Sequence, residues 1–302
     1  MKFNEDFLIK DIDYSINKRR QQEALEKKNT NFENAYTKAL KILAIDRIDE
    51  REFVDLYSEE NVKSDLTYVA EKEEKFKRQD TVEEEEAKKW AKILEAIIHH
   101  QVEINDWLGE NAITKKSSNY DDIKNGVDCI VELQQPDKSM TSHLALAIDV
   151  TFSSNLVDKM DRIKEEIDSG QLATIKYFKS DFLHIRGEKK NIPRVVVGVD
   201  KKNLNRITGP WLNNKNRIMA DHPIKFLMIE EILLQLKSYK NYAEKIKQTE
   251  AADNINKVLK IIEDVFKNED RDLSERRLKE IETDKVYDAI KIYHKNLSAN
   301  KN

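Results

Sequence analysis

Residues 143–153 alternate between apolar and small or polar side chains more strictly than any other part of the chain. The apolar residues occupy every second position: Leu144, Leu146, Ile148, Val150 and Phe152. Successive side chains of a strand point to opposite faces, so this spacing predicts a β-strand. The other face is small at Ala145 and Ala147, which indicates close packing, and then turns polar at Asp149 and Thr151. The chain therefore contains a sheet.

Three shorter runs predict further strands, at 127–133, 172–178 and 194–200. The last run, RVVVGVD, is almost continuously apolar, which suits a strand buried on both faces. A helix with apolar residues at spacings of three and four lies between the strands 143–153 and 172–178. We expect these two strands to pair in parallel across that helix, because a crossover of this length is what parallel pairing requires.

Helical patterns flank this mixed segment. Thr81 is a predicted N-cap, four glutamates follow it, and the apolar stripe then runs to a stop at Gly109. Asp221 and Pro223 predict the start of another helix, and the periodic pattern continues through 255–268 and 273–296. These C-terminal helices fit either coiled-coil arms or a helical layer packed on the body, and we favour the packed layer.

Composition narrows the class of protein. Six glycines and four prolines in 302 residues favour high helix content. Cys129 is the single cysteine, which excludes a disulfide framework and a multi-thiolate metal site within the chain. No run of 18 apolar residues is present, and the N-terminal segment lacks the apolar core of a signal peptide. We therefore expect a cytoplasmic protein that does not partner with a membrane.

Charge is unevenly distributed although the formal net charge is only −4. Residues 1–110 hold 19 basic and 27 acidic side chains, whereas residues 171–220 hold 11 basic and 3 acidic ones. A basic stretch in an acidic chain indicates contact with a polyanion such as nucleic acid. A solvated surface region explains the same counts.

Common catalytic motifs are missing from the sequence. It has no glycine-rich phosphate loop and no GxSxG elbow. The six histidines are scattered, which favours structural roles over a zinc site.

Two acids interrupt predicted strands. Asp128 follows Asn125-Gly126-Val127, and Asp149 lies in the run Ala-Ile-Asp-Val-Thr. A carboxylate in such a place is costly unless it has a cation or a hydrogen-bond donor as partner. If the strands are neighbours, both acids are within reach of one Mg²⁺ or Mn²⁺ ion, since these metals prefer oxygen ligands. Backbone-bonded, purely structural acids are the alternative.

The order of helix, strands, helix and strand, with one acid on a strand and Asp-x-polar on the next, resembles the PD-(D/E)XK nuclease superfamily over about residues 83–200. The resemblance implies that Asp128 and Asp149 bind Mg²⁺. Thr151 stands where the superfamily has a lysine that helps to position or activate water. It also implies that a displaced lysine supplies this role, either Lys176, which we prefer, or Lys159.

A glutamate on the first helix often joins this kind of site, and the resemblance offers Glu95, which we prefer, or Glu103. Glu132 is expected to lie on the same strand face as Asp128, either as a third ligand or as a solvated rim residue. The polar run Tyr120-Asp121-Asp122 is expected to form a loop at the mouth of the site.

The sequence thus predicts an α/β fold of mixed α+β type: a restriction-endonuclease-like αβββαβ core with a mixed sheet, flanked by helical regions. The expected divisions are 1–80, 81–220 and 221–302. The leading hypothesis is a metal-dependent nuclease that acts on DNA more than RNA, with a homodimer formed through the helical ends. One alternative is a catalytically inactive nuclease-like binding or assembly module, and a weaker one is a helical scaffold with a structural insert.

Overall fold

The computed structural model describes residues 30–134, 141–149, 154–268, 271–281 and 283–299, without the side chains of 146–149, 154–155, 268 and 271. The strands are β1 (Ala112–Lys116), β2 (Cys129–Gln134), β3 (Thr141–Asp149), β4 (Ala173–Lys179), β5 (Arg186–Ile192) and β6 (Arg194–Gly198). The first helices are α1 (30–45), a 3₁₀ turn (Glu50–Phe53), α2 (Val54–Tyr57), α3 (Glu59–Gln79), α4 (Val82–Asn105) and α5 (Ser154–Asp168). The C-terminal helices are α6 (Lys201–Leu212), α7 (Asn216–Ala220), α8 (Pro223–Lys245), α9 (Thr249–Asn268), α10 (Arg271–Lys279) and α11 (Lys285–Ala299).

A mixed sheet of four strands lies at the centre, in the order β1-β2-β3-β6. β1, β2 and β3 form an antiparallel meander, and β6 pairs in parallel with β3. The register places Lys116 opposite Cys129, and Cys129 opposite Leu146. The end of β1, the start of β2 and the end of β3 therefore meet at one edge of the sheet. The predicted mixed sheet with helical flanks is confirmed.

The predicted parallel partner of β3 is wrong. β4 does not join the main sheet; it pairs antiparallel with β5 in a separate hairpin, and β6 takes the parallel position. β6 takes this position because it is buried at every residue, as suits a strand of the enclosed main sheet. Its outer edge is satisfied by α8, where the Gln235 side chain bonds both the N–H and the C=O of Val196 and Glu231 accepts from Gly198 N.

The two faces of the main sheet are covered differently. Cys129, Val131 and Leu144 pack with α4 and the C-terminal helices in the main core. On the opposite face, Ile130 and Ala145 pack against the β4–β5 hairpin. Alternate side chains of each strand therefore pack on opposite faces of the sheet. Helices cover one face and the hairpin covers the other.

The predicted N-cap of α4 is confirmed, but the helix ends at Asn105, where Asp106 takes a left-handed φ of 49°, four residues before the predicted stop at Gly109. The Thr81 hydroxyl accepts from Glu84 N at 3.2 Å and the Glu84 carboxylate accepts from Thr81 N at 2.8 Å, which is a complete capping box. At its other end Glu103 accepts both the backbone N–H and the hydroxyl of Thr114 on β1. These bonds fix the register between α4 and the first strand.

The C-terminal helices pack on the body, as favoured. α8, α9 and α11 contribute buried side chains to the same core as α4 and the sheet. His222, rather than Asp221, caps α8, because its ring nitrogen accepts from Ile224 N. The helix predicted at 273–296 is two helices, since Asp284 accepts from Val286 N and starts α11 anew. Within the described ranges, no helix has the length and apolar character needed to cross a membrane.

Candidate functional site

A buried lysine lies at the sheet edge where β1 ends. Lys116 Nζ lies 2.8 Å from Glu95 Oε1 of α4, and both side chains are almost completely buried. The same nitrogen lies 2.8 Å from Asp122 Oδ2 and donates to the backbone oxygen of Asp128 at 2.7 Å. One ammonium group therefore joins a helix, a strand and the segment between β1 and β2.

A second lysine reaches this group from the solvent side. Lys92 Nζ lies 2.8 Å from Glu95 Oε2 and 3.3 Å from Asp122 Oδ2. Burial alone would raise the pKa of Asp122, but Lys116 and Lys92 hold that pKa below its ordinary value. Asp122 and Lys92 keep 24% and 29% of their side-chain surface exposed, so they form the open side of the site.

Asp128 is a buried carboxylate that lies near two other acids, Asp122 and Glu95. Burial, and then the negative charges of Asp122 and Glu95, raise its pKa to about 6, while Lys116 and Lys92 oppose the shift. We call Lys92, Glu95, Lys116, Asp122 and Asp128 the carboxylate–lysine cluster. With three carboxylates and two ammonium groups, the fully ionised cluster carries one net negative charge. An added cation would relieve the crowding at Asp128.

The segment that carries Asp122 and Asp128 is residues 117–128, the β1–β2 linker. Asp121 lies in a π-helical turn of this linker and accepts the backbone N–H groups of Lys176 and Tyr177 on β4, at 2.8 and 3.0 Å. Its carboxylate also accepts from the Ser118 hydroxyl and the Asn125 amide. The predicted loop is therefore a tightly bonded turn, attached to the β4–β5 hairpin.

Arg194 holds the same linker from the other side. Its buried guanidinium donates to the backbone oxygens of Asn125 and Gly126 and pairs with Glu166 of α5. Arg162 adds a bond to the backbone oxygen of Lys124 at 3.0 Å. Gly126 has φ +64°, in the left-handed region that favours glycine. β6 and α5 thus fix the position of the linker.

The structure brings together two of the predicted metal ligands, Asp128 and Glu95. Asp149 is the last residue of β3, and its backbone pairs in register with Gly198, but its side chain lies outside the described residues. Thr151 lies wholly outside them. Since β3 ends at the sheet edge that holds the cluster, the backbone of Asp149 lies at the predicted edge.

The predicted lysines lie elsewhere. The expectation that the strand of Lys176 runs beside that of Asp149 is wrong, because β4 pairs with β5. Lys176 is ion-paired with Asp65 of α3, and the rings of Tyr57, Tyr120 and Tyr177 lie within 5.1–5.4 Å of its ammonium nitrogen. Lys159 is half-buried on α5. Their catalytic roles stay predictions.

Glu132 is neither solvated nor bonded to the cluster. It is fully buried and accepts from the Ser180 hydroxyl at 2.6 Å and from Asp181 N at 2.9 Å. The interpretation as a solvated rim residue is wrong, because the turn after β4 covers this face of β2.

Much of the positive charge in 171–220 is neutralised within the chain. Four of its cations pair with acids of the acidic stretch 1–110: Lys176 with Asp65, Lys179 with Glu52, Arg186 with Asp55, and Lys201 with Glu86. Arg194 is buried against Glu166. The charge asymmetry in the sequence thus reflects, in large part, contact between two regions of the same chain.

Sequence reasoning missed the two lysines of the cluster. Lys116 ends a strand, AITKK, that is too short and too polar to be recognised by its pattern. Lys92 lies in a long amphipathic helix, where a lysine is typical of the solvated face. A weak signal existed, since Lys92 and Glu95 are three residues apart on a helix and therefore neighbours.

The donor set of the cluster suits a divalent metal only as part of a larger shell. Among the described residues, which exclude the Asp149 side chain, no group of three or more His, Cys, Asp or Glu side chains could hold a metal ion. Mg²⁺, however, is usually bound by one or two carboxylates together with waters and substrate phosphates. Asp128 and Glu95 fit this smaller set as oxygen donors: burial, and then the negative charges of Asp122 and Glu95, raise the pKa of Asp128, and a bound cation would oppose both effects.

Comparison of the chain with protein-family models, curated proteins and solved structures finds no match. A function for this chain therefore has to be inferred from the geometry of the cluster.

Proposed function

We propose that this chain is a metal-dependent nuclease of the PD-(D/E)XK type, cleaving phosphodiester bonds in nucleic acid, DNA more than RNA. The observation that carries the proposal is the carboxylate–lysine cluster at the edge where β1 ends and β2 begins. The element order supports it: α4, β1, β2, β3, α5 and β6 follow the αβββαβ order, with the β4–β5 hairpin inserted before β6.

Asp128 and Asp149 would hold Mg²⁺ or Mn²⁺, with Glu95 assisting. When bound, the metal would activate water and stabilise the charge that develops on the phosphate. The residues of the chain prepare the site: burial and the neighbouring acids raise the pKa of Asp128, and Lys116 donates to the backbone oxygen of Asp128 and so fixes its position.

Lys116 is the best candidate for the displaced lysine of the superfamily. It already contacts Glu95 and the backbone of Asp128, whereas Lys176 is engaged with Asp65. Its ammonium group would orient the attacking water or stabilise negative charge in the transition state. Lys92, partly exposed on the open side, would meet the substrate phosphate.

The catalytically inactive module is the second candidate, and a specific observation favours it. Lys116 and Glu95 are buried in a closed set of ion pairs, which is also what a purely structural network looks like. Such a module would bind nucleic acid or protein without needing a divalent metal.

The deciding experiment combines calorimetric titration with Mg²⁺ and Mn²⁺ and a cleavage assay on supercoiled and single-stranded DNA and on RNA. The test variant is Asp128→Asn with Asp149→Asn. The control is Asp181→Asn, an acid paired with Lys115 and partly exposed. The nuclease proposal expects metal-dependent cleavage that falls at least about 100-fold in the double variant and is unchanged in the control. Nucleic-acid binding without cleavage in either metal would support the module instead.

A further inference from the structure

A cleft lies beside the start of β3, at the end of the sheet opposite the carboxylate–lysine cluster. Its volume is about 210 Å³. The polar residues that line it include Ser142, His143, Lys189, Lys190, Asn254 and Lys257. It is bounded by β3, β5 and α9, three elements that are far apart in sequence.

The lining is basic. Of the described residues that line the cleft, three are lysines and none is aspartate or glutamate. Two acids stand nearby and are engaged: Glu188 pairs with Lys190 at 2.9 Å, and Glu250 accepts from the Asn191 amide at 2.9 Å. Within the described part of the chain, Lys189 and Lys257 have no carboxylate partner. The Asn191 amide is neutral and leaves the charge of Glu250 in place, so what the lining offers, among the described residues, is two lysines, Lys189 and Lys257, without a direct ion-pair partner.

The inner wall adds an amide side chain, Asn254, and a buried polar ring, His143. Lys257 Nζ lies 3.4 Å from Asn254 Oδ1, which directs the lysine towards the cleft wall. His143 is 5% exposed, and its ring stands edge-on to Phe178. Its Nε2 has no hydrogen-bond partner in the described part of the chain and lies 3.7 Å from the Glu132 carboxylate.

We propose that this cleft binds a phosphate group in dianionic form, either as inorganic phosphate or as a terminal phosphate monoester. A monoester carries about −1.5 to −2 charges at neutral pH, so its oxygens can give both lysines an ion-pair partner. An internal phosphodiester carries only one charge, which is enough to pair with one of these lysines. The hydroxyl and amide groups of the wall supply the hydrogen bonds that phosphate oxygens accept. This proposal does not rest on the nuclease function, because the cleft lies away from the cluster.

The test is calorimetric titration of the full chain, without divalent metal, using three probes. These are inorganic phosphate, dimethyl phosphate, and a short oligonucleotide with either a 5′-phosphate or a 5′-hydroxyl. The test variant is Lys189→Gln with Lys257→Gln. The matched control is Lys285→Gln with Lys295→Gln, which removes the same charge from exposed positions on α11. Circular dichroism checks that all proteins are equally folded.

We expect saturable binding of inorganic phosphate, weakened at least about 10-fold in the test variant and unchanged in the control, with no saturable binding of dimethyl phosphate. Tighter binding of the 5′-phosphorylated oligonucleotide than of its 5′-hydroxyl form would identify a nucleic-acid end as the source of the group. Equal binding of both oligonucleotides, with phosphate still bound, would identify a small phosphate. Absence of saturable phosphate binding, or equal weakening in the two double variants, would overturn the proposal.

Discussion

The ammonium nitrogen of Lys116 lies 2.8 Å from Oε1 of Glu95, although the two side chains are only 0% and 2% exposed. Removing two such charges from water is costly, and their attraction offsets the cost only while both partners are present. The pair therefore couples β1 to α4 and is sensitive to the loss of either member.

Lys116→Met removes the fully buried one of the two lysines that contact Glu95 and Asp122, so the three carboxylates of the cluster remain with Lys92 alone. We expect the free energy of unfolding to fall by about 3–5 kcal/mol, since buried negative charge is then left uncompensated. Urea denaturation followed by circular dichroism measures this. The control is the neighbouring Lys115→Met, which breaks a partly exposed pair with Asp181 and should cost about 0–1 kcal/mol. Equal losses in the two variants would contradict a buried role for Lys116.

Arg194→Gln removes the donors that hold the carbonyls of Asn125 and Gly126. We expect amide hydrogen exchange in residues 122–127 to accelerate about 10- to 100-fold, because hydrogen bonds to charged groups contribute about 1.5–3 kcal/mol. Hydrogen-exchange mass spectrometry reports this directly, with peptides of α8 as the internal reference. Arg162→Gln should have a smaller effect, since that side chain is 45% exposed. Unchanged exchange in the linker would show that the guanidinium does not hold it.

His294→Phe tests whether this buried histidine lowers the stability of the folded protein in acid. Burial lowers the pKa of His294 to about 4, and neither ring nitrogen has a hydrogen-bond partner in the described part of the chain. The unfolded state therefore binds more protons than the folded state between about pH 6.5 and pH 4, so stability falls as the pH falls through this window. Phenylalanine keeps the ring contacts with Tyr239 and Tyr293 and removes this loss.

The measurement for His294→Phe is urea denaturation at pH 7.5, 6 and 4.5. The variant should gain stability over the wild type as the pH is lowered, whereas His184→Gln, at an exposed site, should track the wild type. A constant difference at all three values would show that His294 does not titrate in this way.

Glu231→Gln tests the opposite direction of pH dependence. Glu231 is fully buried, which raises its pKa well above the ordinary value although it accepts from Gly198 N. The folded state therefore binds the extra proton, and this stability is lost as the pH rises. Glutamine can keep the acceptor bond without the charge, so the variant should become more stable than the wild type with rising pH. Thermal denaturation from pH 5 to pH 8 measures it, and Glu244→Gln, exposed on the same helix, is the control.

The sequence was most informative where local and tertiary signals agree. α4 was predicted from its cap and its stripe, and both are present because a capping box and an apolar face act within a few residues. β1 and β5 were missed, since AITKK and RGEKKNI carry too much charge for a strand pattern to stand out. Their pairing depends on partners far along the chain.

The candidate site was predicted only in part, because some of its residues carry a local signal in the sequence and others depend on contacts between distant segments. Asp128 and Glu95 were predicted as site residues because each is a carboxylate within an apolar run, and that contrast can be seen in the sequence itself. Lys116 was not, because its importance comes from the contact between β1 and α4 and from the register Lys116–Cys129. The choice of β6 over β4 as the partner of β3 likewise depends on α8 satisfying the edge of β6.

The ion pairs that join Asp65, Glu52 and Asp55 of residues 1–80 to Lys176, Lys179 and Arg186 have a consequence for the behaviour of the isolated core. Residues 1–80 supply the counterions for these three cations. A fragment without residues 1–80 would expose the three cations to solvent, whereas the intact chain screens them with its own acids. Apparent affinity of such a fragment for polyanions would then report the truncation rather than the protein.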